Sequence, residues 1–168
     1  MGKQILCSFG IRKLVIKGSH PLKHNMGESM SQVIHGEIRV KTNRAIEVTD
    51  ITSSIQDWVS DKGCQKGILL AFSVHTTAGI IINEAESGLM QDIESQLKEI
   101  VPPRAGYKHD RIDSNAHSHI MTSLVSPSET IPITSGRLSM GTWQRVLFVE
   151  GDGPRSRRVS MTFIGKTG

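Results

Sequence analysis

Aromatic side chains are scarce in this chain of 168 residues: four Phe, two Trp and one Tyr, 4% in all. A core built from it is aliphatic, and an aromatic platform for stacking nucleic-acid bases is excluded as a main theme. Cysteine is nearly absent as well, with only Cys7 and Cys64. Two isolated thiols give neither a disulfide framework nor a CxxC metal knuckle, so a reducing cytoplasm is the expected setting. No apolar run approaches the roughly 18 to 20 residues of a membrane span. The basic N-terminus is not followed by the apolar stretch and small-residue cleavage site of a secretory signal. Gly-rich phosphate loops of the P-loop or dinucleotide type are also missing, so no organic cofactor is implied. The net charge of +4 is modest, and Lys and Arg are scattered apart from Arg155, Arg157 and Arg158. Neither a nucleic-acid nor a membrane partner is expected from such a pattern.

The apolar fraction of 37% and charged fraction of 21% are those of an ordinary globular domain. Residues 1–29, with "GSHPLKHNMGES", are rich in breakers and read as a disordered extension; Met30 opens a stretch with the look of a natural start. Residues 30–168 then read as one domain.

Within it, "VIHGEIRVKT" alternates like a half-buried strand, and "RAIEV" is a second short one. Asp50 or Thr49 caps a helix whose Ile51, Ile55, Trp58 and Val59 recur at helical spacing. "GILLAFSV" and "AGIII" are continuous β-branched runs, predicted to be central strands covered on both faces. A helix from near Ser87 presents Leu89, Met90, Ile93 and Leu97 on one side and stops at Pro102-Pro103. A long polar segment, 102–116, precedes "NAHSHIMTSLV", where Ala116, Ile120 and Leu124 favour a helix capped by Asn115 or Ser114. "TIPITSGRLSMG" reads as strand, turn and strand, and the two runs flanking "EGDGPR" read as a hairpin. About seven or eight strands and three helices without βαβ alternation predict an α+β, mostly antiparallel sheet or sandwich.

Polar residues interrupt the apolar runs in "SVHTTAGIIINE". His75, Thr76 and Thr77 are poor turn chemistry, because β-branched residues resist positive φ. An extended or bulged segment that aims an imidazole and hydroxyls from a rigid sheet is predicted; the same residues also fit a purely structural part. His117 and His119 form "HSH". On a strand such a pair shares a face as in zinc sites, whereas on a helix the rings diverge by about 200°. His109 beside Asp110 suits a general base or a metal's outer shell, since a carboxylate fixes the imidazole tautomer. A divalent ion, if held, draws on His75, His109, His117 and His119, with Asp110 or Glu84 as ligand or orienter, and zinc suits such nitrogen-rich ligation better than magnesium. Arg137, Arg155 and Arg158 are candidates to meet a phosphate.

Three elements together, "HTT…NE", Asn115 separated from His119 by three intervening residues, and "GTWQ" followed by "EGDGPRSR", resemble the YjbQ-like family over about residues 31–166. The resemblance implies an antiparallel β-sandwich with helices, assembled as a homotrimer. It also implies the label carried by some members, secondary thiamine-phosphate synthase: a weak transferase activity joining a pyrimidine diphosphate to a thiazole phosphate. By motif it brings forward His75, Glu84, the His109–Asp110 pair, Asn115 and His119, with His75, Glu84, Asp110 and His119 as the catalytic candidates. Thr76, Thr77, Asn115, Arg137 and Arg158 are the candidates for holding a small phosphorylated metabolite. His117 falls where relatives often carry another residue. The alternative function is a trimeric module that binds a metal or phosphometabolite without turnover.

Overall fold

The computed structural model describes residues 30–168. The extension assigned to residues 1–29 lies outside the described residues. Ten residues, Gln32–Lys41, form β1, and Glu47–Asp50 form β2. The chain continues through α1 (Thr52–Asp61), β3 (Cys64–Ser73), β4 (Ala78–Asn83) and α2 (Ser87–Ile100). A single 3-10 turn at Lys108–Arg111 leads to α3 (Ala116–Leu124); β5 (Ser128–Thr134), β6 (Arg137–Leu138), β7 (Arg145–Glu150) and β8 (Ser156–Thr167) complete the order.

The strands make two antiparallel sheets, a five-stranded one in the order β1-β8-β3-β5-β6 and a three-stranded one in the order β2-β7-β4. Two apolar clusters stack the molecule into three layers. Leu69, Met161 and Phe163 of the larger sheet meet Ile80, Val146 and Phe148 of the smaller one, and Ile55, Trp58 and Val59 of α1 join them. On the other face of the smaller sheet, Leu147 and Val149 pack with Leu97 of α2 and Met121 of α3. Successive residues of β7 therefore enter opposite clusters, which is why "VLFV" is continuously apolar.

Local chemistry sets the helix starts. At α1 the cap position is held by Ile51, without a side-chain cap, rather than by the expected Asp50 or Thr49; Asp50, one residue earlier, accepts from the Thr52 amide at 2.8 Å. At α2 the cap is Glu86, whose carboxylate accepts from the amides of Gly88 and Leu89, both at 2.8 Å.

Three further expectations are corrected. β7 and β8 do not form a hairpin: β7 lies between β2 and β4, and β8 between β1 and β3. Their connection crosses from one sheet to the other and lies against the β1–β2 connection, with Gly153 N donating to Ala45 O at 2.9 Å and Thr42 N to Arg155 O at 2.9 Å. The approach is so close that a Cβ on Gly153 would stand 2.2 Å from Arg44 O, so glycine serves contact there rather than a two-residue turn. β3 is not covered on both faces. Leu69 and Ala71 point inward, while Ile68 (52% exposed), Leu70 and Phe72 (40% exposed) point outward. β4 is an edge strand of the smaller sheet, and its free edge is met by the chain after α3, where Ile80 N donates to Ser126 O at 2.8 Å.

Candidate functional site

β3 leaves its ladder after Ser73, which pairs with Val159 of β8. The next acceptor opposite β8 is not a carbonyl but an imidazole: Arg158 N donates to His75 Nε2 at 2.9 Å. Accepting that bond requires a lone pair on Nε2, so the neutral ring carries its proton on Nδ1. Burial pushes the His75 pKa below the ordinary histidine value; the Arg157 guanidinium adds to this and Glu150 opposes it.

Thr76 and Thr77 form a turn rather than an extended or bulged segment, which corrects the sequence reading. Neither takes a positive φ; among the described residues only Arg104 and Ser135 do so outside glycine. β-Branching disfavours only the turns that need that region. The turn is held from three sides. Thr122 Oγ1 donates to Thr76 O at 2.6 Å. Gly151 N donates to Thr77 O at 2.9 Å. Arg157 donates to Thr77 Oγ1 at 2.9 Å.

Arg157 is the hub beneath the turn. Its Nε donates to Glu150 Oε2 at 2.6 Å and its terminal nitrogen to Oε1 at 2.5 Å. Glu150 is wholly buried, and it also accepts from Thr42 Oγ1 at 3.1 Å and from the Asp152 amide at 2.8 Å. Such a buried pair is secure because every lone pair of the carboxylate is answered. The sequence reading missed Glu150 and Arg157 as a site pair. One signal marks Arg157: it stands in phase with Val159, Met161 and Phe163, the inward residues of β8.

α3 supplies the opposite wall, and it is helical as the spacing predicts. His119 and His75 line one cavity of about 940 Å³, open to solvent, with Phe72, Val74, Leu124 and Pro127 as its apolar wall and Thr76 and Thr122 among its polar groups. His109 stacks edge-on against His119, ring centroids 5.0 Å apart at 79°. Ser118, between the two histidines of "HSH", points inward and donates to Gly151 O at 2.5 Å.

The other candidates go elsewhere. Asp110 does not orient His109; its Oδ1 accepts from the Ala116 amide at 3.1 Å and caps α3. Asn115 stands at the cap position without capping, because its side chain donates to Asp152 Oδ2 at 3.2 Å. Its Oδ1 is buried without a partner. Thr77 is buried and faces Arg157 rather than the cavity. Glu84 lies at the far end of β4 from Thr77, about 20 Å away at the rise of a strand, and lines a groove with Trp143 and Arg145. Arg137 is on β6, near Asp57 and Arg145. Arg158 presents its backbone to His75, while its guanidinium faces Glu37 at 3.4 Å on the outer sheet face. His117 lines a separate cavity on the other side of α3. Among the described residues no three His, Cys, Asp or Glu side chains gather as a metal-holding group. The four histidines therefore do not form one ligand set, because the helix divides His117 from His119 and His75 Nε2 is already occupied. One chain does not fit zinc or magnesium at this cavity.

The model of the family described as "UPF0047 protein YjbQ-like" matches residues 36–166. The chain belongs to the YjbQ-like family. A UPF0047 protein of Archaeoglobus fulgidus is 45% identical over 123 residues, which cover 73% of this chain and 95% of that protein. The YugU protein of Bacillus subtilis is 33% identical, over 76% of this YjbQ-like chain and 97% of its own length. Among solved structures, a hypothetical protein of Aeropyrum pernix K1 superposes with a TM-score of 0.77 at 43% identity, covering 79% of this chain and 99% of that one. A YjbQ-like protein of unknown function from Sulfolobus solfataricus P2 gives 0.78 at 39% identity, over 81% and 99%. The antiparallel α+β architecture is thus a property of the YjbQ-like fold. No helix among the described residues is long and apolar enough to cross a membrane.

Proposed function

We propose that the cavity between His75 and His119 binds a small metabolite carrying a ring and a phosphate, and that the two histidines handle its protons. One observation carries this reading: two imidazoles from a strand end and a helix, far apart in sequence, line the same open cavity. With Nε2 accepting from the Arg158 amide, the neutral His75 ring offers Nδ1–H to a ligand as a hydrogen-bond donor, which leaves the base role to His119. His119, braced by His109, is the partner that takes a proton. The apolar wall of Phe72, Val74 and Leu124 suits a flat ring.

The finer reading is the weak thiamine-phosphate synthase-type transfer. There the bond between the pyrimidine methylene and its diphosphate breaks, the thiazole nitrogen forms the new C–N bond, and diphosphate leaves with the electron pair. The pocket offers walls for both rings but no paired carboxylates for magnesium and no free guanidinium aimed at the leaving group. A slow side reaction fits that inventory. The test is binding and turnover with the pyrimidine diphosphate and thiazole phosphate in wild type, His75→Ala and His119→Ala. Equal binding by all three proteins sinks the site; binding without turnover keeps the site and leaves the non-catalytic reading.

The trimeric part of the reading rests on a second observation. Ile68, Leu70, Phe72, Val74 and Ile164 expose apolar surface on the outside of the larger sheet. A homotrimer would cover that face.

A further inference from the structure

His117 and His119 are two positions apart on α3, so their rings diverge by about 200° and serve different cavities. The cavity of His117, about 510 Å³, is lined also by Arg44, Lys98, Arg104 and Ser114, and by no carboxylate. Three segments bring these groups together: the β1–β2 connection, the end of α2 with its following loop, and the start of α3.

Their charges are answered unequally. Arg44 is held by Glu94, with one terminal nitrogen 2.7 Å from Oε1 and the other on Oε2; Glu94 is buried and also accepts from the Val48 amide at 2.9 Å. Lys98 and Arg104 have no ion-pair partner among the described residues. Arg104 also holds φ at 60°, a region uncommon for any residue but glycine. His117 Nδ1 is buried without a hydrogen-bond partner. Its other nitrogen lies 3.3 Å from Ser118 Oγ, whose own hydrogen goes to Gly151 O. Nε2 therefore carries the proton toward Ser118, and Nδ1 is the unanswered atom.

We infer that this cavity is an anion site for a phosphate group, distinct from the His75–His119 cavity. Lys98 and Arg104 supply the charge, Arg44 is a pre-set guanidinium, and Ser114 adds a hydroxyl. His117 lines the same cavity, so its ring reports an anion held there.

The experiment titrates inorganic phosphate into the full chain at constant ionic strength, following the long-range nitrogen resonances of the histidine rings. The His117 signals are expected to shift and saturate, with those of His75 and His119 unmoved. The Lys98→Ala/Arg104→Ala double variant, checked by its melting temperature, should bind roughly tenfold more weakly or worse, and His119→Ala should bind as wild type does. Should the double variant fail to fold, Lys98→Gln alone is expected to show a smaller weakening. A His117 shift that never saturates, equal binding by the charge variants, or movement of His75 and His119 instead would overturn the inference.

Discussion

The amide of Arg158 donates to Nε2 of His75 at 2.9 Å, joining residues 83 apart in sequence at the point where β3 departs from β8. An imidazole thus completes the ladder that a carbonyl would have continued. The arrangement fixes the tautomer and presents Nδ1–H as the free edge of the ring.

The first prediction concerns protons. With its native pKa lowered, His75 is neutral in the fold at pH 7 while unfolded histidine titrates near 6.5. The unfolded state binds more protons below that value, so the contribution of His75 to stability is full above pH 6.5 and declines as pH falls toward the native value. Urea denaturation of wild type and His75→Gln from pH 7.5 to 5 should show the steeper loss in wild type. Parallel pH profiles would mean that the ring is charged or unburied.

The second concerns the buried pair. Arg157→Leu leaves the Glu150 carboxylate uncompensated and should cost about 3–5 kcal/mol. Replacing both, Arg157→Leu with Glu150→Leu, should cost less than the sum of the single changes. Denaturant midpoints measure both, and strict additivity would contradict the coupling.

A third rests on sterics. Gly67 and Gly165 face each other across β3 and β8, and a Cβ on Gly165 would stand 2.2 Å from Lys66 O and 2.6 Å from Cα of Gly67. Gly165→Ala should destabilise by about 1–3 kcal/mol, read as a lowered midpoint in the same assay. A neutral substitution would show that the strands part freely.

The fourth tests assembly. Light scattering on wild type should give three times the chain mass, and Ile68→Glu with Phe72→Glu should give a monomer with an unchanged circular-dichroism spectrum. A monomeric wild type at micromolar concentration would remove the trimer.

Much of this was legible in the chain. The spacing of Ala116, Ile120 and Leu124 marked α3, and helical geometry alone separated His117 from His119. The "HTT" stretch announced that something unusual sat between β3 and β4. What failed was long-range. The Gly-rich 151–154 segment fits a hairpin turn and a crossover equally well, and only the pairing of β7 with β2 and β4 decides between them. Asp110 and Asn115 carried the right chemistry for a site, but each was claimed by a partner that sequence distance hides: the Ala116 amide and Asp152. Glu84 shares a motif with His75 yet is carried off by the length of β4.

The central claim is that His75 and His119 form one binding site. It is tested most directly by titrating thiazole phosphate into the protein while watching all the histidine ring resonances. Saturable shifts are expected at His75 and His119, abolished in His75→Ala and in His119→Ala and retained in His117→Ala. Saturation with these two rings unmoved, or a shift of either ring that survives substitution of the other, would contradict it.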